Sequence, residues 1–215
     1  MKVSVSILDC DFRYLEQELE AVVRAGADAI HLDVMDGHFV PNLSFGVPIA
    51  RTVRQVVSLP LVGHLMVTEP EWIIEQFLPY CDRVIFHVEA TELPDQCLET
   101  ILSAGKEAGV SLNPNTDPAS VVPFLDRVAD LLVMSVYPGL GGQEFIPESI
   151  DRINQLRRHL QAAGSHAEIS VDGGVKPDNC PSLAAAGVTT VIAGSAIFRS
   201  QDYAATIKAL KCSSS

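Results

Sequence analysis

Residues 168–195 have the sequence EISVDGGVKPDNCPSLAAAGVTTVIAGS, in which two β-strand patterns flank a helical one. The apolar run Glu168–Val171 comes first, the helical pattern Asn179–Ala186 follows, and the β-branched run Thr190–Ala193 closes the stretch. Two short strands joined through a helix indicate a parallel crossover unit, because parallel strands need a long connection. This unit recurs throughout the chain and therefore decides the fold class.

Eight strand patterns alternate with eight helical patterns over the 215 residues. The strand patterns are Val3–Leu8, Ala29–Val34, Leu61–Met66, Arg83–His87, Val110–Leu112, Leu131–Ser135, Glu168–Val171 and Thr190–Ala193. The helical patterns are Arg13–Ala25, Val47–Val57, Glu71–Phe77, Leu93–Ala108, Pro118–Phe124, Pro147–Ala163, Asn179–Ala186 and Tyr203–Leu210. This series predicts an α/β fold, a single compact (β/α)8 TIM barrel over residues 1–211, with a disordered tail over residues 212–215. A doubly wound open sheet is the rival architecture, and the number of strands favours the closed barrel.

Glycine follows alanine at the end of three predicted helices. The positions are Gly26, Gly109 and Gly187, each shortly before a predicted strand. Glycine accepts the left-handed conformation that ends many helices. We therefore expect all three glycines to be helix C-caps.

The composition argues against several classes of protein. The chain is 47% hydrophobic and 20% charged, and no apolar run approaches the roughly 20 residues of a membrane span. A formal net charge of −12 argues against nucleic acid or an anionic membrane as partner, although backbone amides can still bind a phosphate. Five scattered cysteines without a C-x-x-C pair favour a reducing compartment. The start of the sequence lacks a secretory signal pattern, which favours the cytoplasm, although a removed organelle-targeting peptide would leave no trace.

Polar residues stand near the ends of the second, third and seventh strands, where TIM barrels build their active sites. His31 and Asp33 are two residues apart and share one strand face, His64 lies in the third strand, and Asp172 follows the seventh. Two imidazoles and two carboxylates suit a zinc, iron or manganese ion, and two buried carboxylates need a cation or protons to offset their charge. The alternative is that the four residues are unrelated and that each has its own hydrogen-bond partners at a strand end. Spacing alone leaves both interpretations open.

Glycine-rich segments follow the last three strands. They are Pro138-Gly139-Leu140-Gly141-Gly142-Gln143, Gly173-Gly174-Val175 and Gly194-Ser195, the last at the start of a short predicted helix. Glycines let backbone amides approach a ligand, and barrels often bind phosphate in the loops after strands seven and eight. Three such segments together predict a phosphate site.

Longer motifs surround these positions. They are HLDVMDGHFVPN (31–42), HLMV (64–67), FHVEA (86–90), LNPNT (112–116), VMSVYPGLGGQ (133–143) and VDGGV (171–175). In this combination, and along the whole chain, they resemble the ribulose-5-phosphate 3-epimerase family. The resemblance implies a (β/α)8 barrel enzyme that interconverts D-ribulose 5-phosphate and D-xylulose 5-phosphate at C3 through an enediolate. It also implies a homo-oligomer, either a dimer or a hexamer.

The resemblance assigns roles residue by residue. It implies one divalent metal ion, zinc or iron in the first place and manganese or cobalt otherwise, held by His31, Asp33, His64 and Asp172. Asp33 and Asp172 would also be the proton-transfer pair. The implied contacts to the phosphorylated ketose are Ser6, His64, Gly139, Leu140, Gly141, Gly142, Asp172, Gly173, Gly174, Gly194 and Ser195. Three thioethers, Met35, Met66 and Met134, would line the pocket, although from the residues alone they would pass for core filler.

Some positions depart from the family pattern. Asp9 and Cys10 replace a serine and an alanine, Val62 replaces an aspartate two residues before His64, and Leu140 replaces a common phenylalanine. These departures keep two alternatives open: a 3-epimerase of a ketohexose 6-phosphate such as allulose 6-phosphate, and a non-catalytic sugar-phosphate-binding paralogue. A Schiff-base aldolase is disfavoured, because none of the five lysines follows a predicted strand.

Overall fold

The computed structural model describes residues 1–212 and contains a closed barrel of eight parallel strands. The strands are β1 (Lys2–Ser6), β2 (Ala29–Met35), β3 (Leu61–Met66), β4 (Arg83–His87), β5 (Glu107–Leu112), β6 (Asp130–Met134), β7 (Glu168–Asp172) and β8 (Thr190–Ala193). Neighbours in the chain pair in order, and β8 pairs with β1 to close the barrel. The predicted TIM barrel is therefore confirmed, and the open doubly wound sheet is excluded.

Eight α-helices surround the strands. They are α1 (Leu15–Arg24), α2 (Val47–Val56), α3 (Ile74–Phe77), α4 (Pro94–Ser103), α5 (Ser149–Ala163), α6 (Cys180–Ala186), α7 (Ser195–Phe198) and α8 (Tyr203–Leu210) among residues 1–212. Short 3₁₀ helices supplement them at Ile7–Asp9, Phe12–Tyr14, Pro70–Trp72, Val88–Ala90 and Pro118–Phe124. No helix in this part of the chain is both long and apolar enough to cross a membrane.

The fourth helix and fifth strand correct the sequence prediction. The predicted helix Leu93–Ala108 ends at Ser103, and Glu107 and Ala108 already belong to β5. Gly105, with φ of 70°, supplies the left-handed turn after the helix. Gly109 is not a C-cap: it lies inside β5, where an added Cβ would come within 2.8 Å of the Ile85 side chain. Close packing inside the barrel, rather than a helix end, therefore accounts for this glycine.

The other predicted helices are partly confirmed and partly corrected. The predicted helix at Pro118–Phe124 is a 3₁₀ helix, and Pro123 inside it lacks the N–H that an α-helical bond would need. Gly26 and Gly187 have φ of 91° and 101° and end α1 and α6 as expected. Of the predicted tail, Cys212 lies in a turn, whereas residues 213–215 lie outside the described part of the chain.

Alternation along the strands sorts side chains between the barrel interior and the helices. On β2, for example, Ile30 and Leu32 pack in the main hydrophobic core, whereas the alternating His31 and Asp33 lie beside His64 and Asp172. Inside the barrel, Val62, Ile85, Leu132 and Ile192 form part of a separate apolar cluster together with residues nearer the carboxyl ends. The polar groups of the candidate site therefore face the interior, near the carboxyl ends of the strands.

An ion-pair network occupies the opposite, amino-terminal end of the barrel. Arg83 on β4 donates to Glu107 (2.6 Å), Asp130 (3.0 Å) and Glu168 (3.3 Å), and Lys2 also binds Glu168 (2.6 Å). Asp130 is buried, and burial raises its pKa while Arg83 opposes the rise. These pairs belong to a structural network at the opposite end from the candidate site.

Candidate active site

Four side chains from three strands converge inside the carboxyl end of the barrel. His31 and Asp33 come from β2, His64 from β3 and Asp172 from β7, and one ligand atom of each lies within 4.8 Å of all the others. His64 Nδ1 lies 3.2 Å from Asp33 Oδ1 and 3.8 Å from Asp172 Oδ2, and His31 Nε2 lies 3.4 Å from Asp33 Oδ1. The strand register explains the cluster, because Asp33 pairs directly with His64 across β2 and β3.

The electrostatics of the cluster follow from its burial and its mixed charges. Burial alone would raise the pKa of Asp33, but the His31 and His64 imidazoles hold it below its ordinary value. Burial and the neighbouring Asp33 carboxylate raise the pKa of Asp172. Burial lowers the pKa of His64 to about 3, so the imidazole is neutral. Burial alone would lower the pKa of His31, but the nearby Asp33 carboxylate raises it above its ordinary value. Imidazole and carboxylate groups held this close together are a donor set that suits a cation.

The cluster fits a divalent metal ion. If an ion lies about 2.1 Å from each donor, two donors on opposite sides of it are about 4 Å apart. The four ligand atoms of the cluster lie within 4.8 Å of one another, which is close to this separation. His31 Nε2 is buried, points into the cluster and has no hydrogen-bond partner among the described residues. An unpartnered buried nitrogen is costly unless something accepts its lone pair or proton. The four residues predicted as metal ligands thus lie together and could hold such an ion.

The cleft above the cluster is lined by most of the predicted substrate contacts. Ser6 at the end of β1 donates from Oγ to Asp33 Oδ2 at 2.5 Å. Met35, Met66 and Met134, at the ends of β2, β3 and β6, line the same cleft. The three methionines therefore belong to the cleft as well as to the buried interior.

The three glycine segments line the other side of this cleft. Its lining includes the predicted residues Gly139, Leu140, Gly141, Gly142, Gly173, Gly174, Gly194 and Ser195. At Gly174 (φ 61°) a Cβ would come within 2.3 Å of the Phe145 backbone nitrogen, and at Gly194 within 2.9 Å of the Ser6 carbonyl oxygen. A side chain at either position would force these backbone segments apart. The loops after β6, β7 and β8 therefore meet around one space.

A family model described as the ribulose-phosphate 3 epimerase family matches residues 2–198. The chain belongs to this family. Family membership makes it a carbohydrate epimerase, an enzyme of the isomerase class, as the sequence predicted.

Several relatives of the ribulose-phosphate 3-epimerase family cover nearly the whole chain. The chloroplastic ribulose-5-phosphate 3-epimerase of Arabidopsis thaliana is 42% identical over 98% of this chain and 76% of its own length. The ribulose-phosphate 3-epimerases of Synechocystis sp. and of Escherichia coli strain K12 are 43% and 38% identical, over 97% of this chain and 92% and 94% of their own. The family assignment therefore rests on full-length similarity.

Similar solved structures include more distant barrels. A 3-hexulose-6-phosphate synthase has a TM-score of 0.70 at 19% identity and covers 98% of both chains. The 3-hexulose-6-phosphate synthase of Salmonella typhimurium has a TM-score of 0.75 at 20% identity, over 98% of this chain and 97% of its own. At these identities the similarity supports the fold and nothing finer.

Two polar residues beneath the cluster were not anticipated from the sequence. His87 ends β4 with its side chain fully buried, and its Nε2 lies 2.9 Å from His64 Nε2. Glu89 follows, and its Oε2 lies 3.2 Å from His87 Nδ1. Burial alone would raise the pKa of Glu89, but hydrogen bonds from His87 and Thr116 keep it below its ordinary value. Both residues lie in the motif FHVEA, and their spacing of two residues at the end of a strand is the sequence signal that could have identified them.

The departures from the family pattern lie in different places. Asp9 lines the cleft beside Gly141 and pairs with Arg199, with Oδ1 2.8 Å from the guanidinium. Val62 does not line the described cleft: it pairs in register with His31 and borders a cavity of about 400 Å³ at the amino-terminal end of the barrel. Asp9 and Leu140 are therefore the departures that line the cleft, whereas Val62 lies away from it, beside His31.

Proposed function

We propose that the chain interconverts D-ribulose 5-phosphate and D-xylulose 5-phosphate by inverting C3. The observation that carries the proposal is that Asp33 and Asp172, on β2 and β7, both line one cleft in a chain of the epimerase family. Inversion next to a ketone needs a base on one face of the carbon and an acid on the other. Two carboxylates from distant strands can supply both.

The proton transfers follow from this arrangement. An Asp33 oxygen removes the C3 proton from one face of ribulose 5-phosphate, and the C–H electron pair forms the C2–C3 double bond of an enediolate. Asp172 then returns a proton to C3 from the other face, and the ketone re-forms with inverted configuration. Each positioned acid or base contributes roughly 10²–10⁴-fold to the rate. In the reverse direction the two aspartates exchange roles.

His31, Asp33, His64 and Asp172 would hold a divalent ion beside the reacting carbons. Such an ion would act as a Lewis acid that stabilises the negative charge developing on the substrate oxygens, a contribution of several kcal/mol. We infer zinc or iron first and manganese or cobalt otherwise, because imidazole and carboxylate donors suit all four. Ser6 orients Asp33 through its hydrogen bond and can turn toward a substrate hydroxyl.

The phosphate would bind the backbone amides of the glycine loops after β6, β7 and β8. Among residues 1–212 no lysine or arginine lines the cleft, so main-chain amides, together with the Ser195 hydroxyl, would supply the donors. Glycines at close backbone contacts keep those amides at the cleft surface. The methionines would face the carbon chain of the substrate, at the end of the cleft away from the phosphate.

A 3-epimerase of a ketohexose 6-phosphate is the second candidate, and Asp9 is the observation that favours it. An aspartate on the cleft wall, in place of the family's serine, could accept a hydrogen bond from an additional hydroxyl group. The non-catalytic paralogue is disfavoured, since all four proposed ligands lie together. The homo-oligomer and the cytoplasmic location remain predictions.

One assay separates these functions. Purified protein of defined metal content is tested against a panel of C5 and C6 ketose phosphates. If the protein is a pentose-phosphate epimerase, we expect the highest kcat/KM with ribulose 5-phosphate. A clear preference for allulose 6-phosphate would reverse the ranking, and binding without turnover would identify the paralogue.

A further inference from the structure

A chain of three polar side chains runs from the proposed metal site toward the protein surface, where it ends at Glu89. His64 presents Nδ1 to the cluster and Nε2 to His87, whose Nε2 lies 2.9 Å away. The far nitrogen of His87, Nδ1, lies 3.2 Å from Glu89 Oε2. Both imidazoles are fully buried. The chain therefore joins a proposed ligand to a carboxylate without the help of solvent.

The ring geometry supports a real N–H···N bond between the histidines. Their planes lie 19° from parallel, and their centroids are 5.0 Å apart although the two nitrogens are 2.9 Å apart. Rings stacked face to face would have much closer centroids, so these rings meet edge to edge. In that arrangement the proton lies close to both ring planes, as a hydrogen bond to an imidazole lone pair requires.

Metal ligation would determine where each proton lies. A neutral imidazole that binds an ion through Nδ1 carries its hydrogen on Nε2. His64 Nε2 must then donate to His87 Nε2, which leaves the hydrogen of His87 on Nδ1. That hydrogen is donated to Glu89 Oε2. One tautomer of each histidine thus satisfies the whole chain.

Glu89 is itself held in place from the other side. Its Oε1 accepts from the Asn113 backbone N–H at 2.7 Å and from the Thr116 hydroxyl. Arg152 on α5 donates to the carbonyl oxygens of Asn113 and Thr116, at 3.0 Å in the second case, and so fixes that loop. The carboxylate is a rigid acceptor anchored by the β5 end and α5.

We propose that His87 and Glu89 are positioning residues that orient His64 and select its metal-binding tautomer. The proposal rests on the metal site of the proposed function. His87 is neither a proposed ligand nor part of the cleft lining, and it acts only through His64. Groups that orient a ligating histidine typically change metal affinity 10–100-fold when removed. A carboxylate often orients a ligating histidine by direct contact. In this chain Glu89 contacts His87, and His87 contacts His64, so two residues together orient the proposed ligand.

Metal affinity of three variants tests the proposal. His87→Phe keeps a ring to pack against Phe39 but removes both nitrogens, so we expect Zn²⁺ to bind about 10–100-fold more weakly. His87→Gln keeps an acceptor for His64 and should recover much of that loss. Glu89→Gln should fall between the wild type and His87→Phe. The dissociation constant is measured by competition with a chromogenic chelator, and His166→Phe, an exposed histidine before β7, is the control.

The outcomes separate this proposal from the proposed function. If the wild type binds no divalent metal, the metal site itself is wrong. If it binds metal and His87→Phe or Glu89→Gln binds within twofold of it, only the positioning role is wrong. A purely structural role would lower the melting temperature of the metal-free variants without changing metal affinity. Nitrogen-15 NMR of the metal-loaded wild type adds a check that needs no variant: a hydrogen on His87 Nε2 would overturn the tautomer assignment.

Discussion

Gly194→Ala tests the phosphate site with the smallest change that the structure offers. Gly194 has a φ of −116°, outside the left-handed region that favours glycine, and an alanine Cβ would lie 2.9 Å from the Ser6 carbonyl oxygen. That is about half an ångström inside normal contact, and both backbones must move. Overpacking of this kind costs about 1–3 kcal/mol, which corresponds to a melting temperature lower by about 2–12 °C.

The same movement displaces the proposed phosphate donors. Loss of one hydrogen bond to a charged group costs about 1.5–3 kcal/mol, so KM for ribulose 5-phosphate should rise about 10- to 150-fold, with a smaller change in kcat. Gly46→Ala is the control, because Gly46 has a similar φ (−124°) and its Cβ would meet only Pro48 at 3.9 Å. Steady-state kinetics and thermal melts of both variants measure the effects. A lower melting temperature with unchanged KM would show that the phosphate lies elsewhere.

Three further predictions concern the metal, the substrate and the barrel. Chelation should abolish turnover and added divalent metal should restore it; full activity in demonstrably metal-free protein would refute the metal site. Asp9→Ser should raise the preference for ribulose 5-phosphate over allulose 6-phosphate if Asp9 selects among substrates, and an unchanged ratio of kcat/KM values would show that it does not. Arg83→Met leaves the buried Asp130 carboxylate without its cation and should cost about 3–5 kcal/mol in urea unfolding near pH 7. This cost should shrink as the pH falls and carboxylates are protonated, whereas a pH-independent loss would point to packing instead.

The sequence predicted the barrel because its evidence is local and repeated. Alternating strand and helix patterns, with cap glycines at Gly26 and Gly187, are readable without tertiary information. The error at residues 104–109 arose because a glycine inside a barrel strand and a glycine after a helix look alike in sequence. Only the neighbouring Ile85 side chain, distant in the chain, distinguishes them.

The proposed metal ligands were predictable because the active-site residues of barrels lie at strand ends. The residues that contact these ligands from further inside the structure were not predictable. His31 and Asp33 share a strand face, a relation that follows from spacing alone. The contact of His64 with His87 depends on the pairing of β3 with β4, and the Asp9–Arg199 pair joins the two ends of the chain. Such contacts depend on tertiary pairing between distant parts of the chain, which no local pattern encodes.

Proton exchange with deuterated solvent tests the two-aspartate mechanism most directly. Metal content is first confirmed in Asp172→Asn and Asp33→Asn, because both residues are proposed ligands. Metal-loaded Asp172→Asn should not epimerise but should still exchange the C3 proton of ribulose 5-phosphate through Asp33. Asp33→Asn should exchange only the C3 proton of xylulose 5-phosphate. Exchange of both epimers by either metal-loaded variant would show that one base serves both faces and would contradict the mechanism.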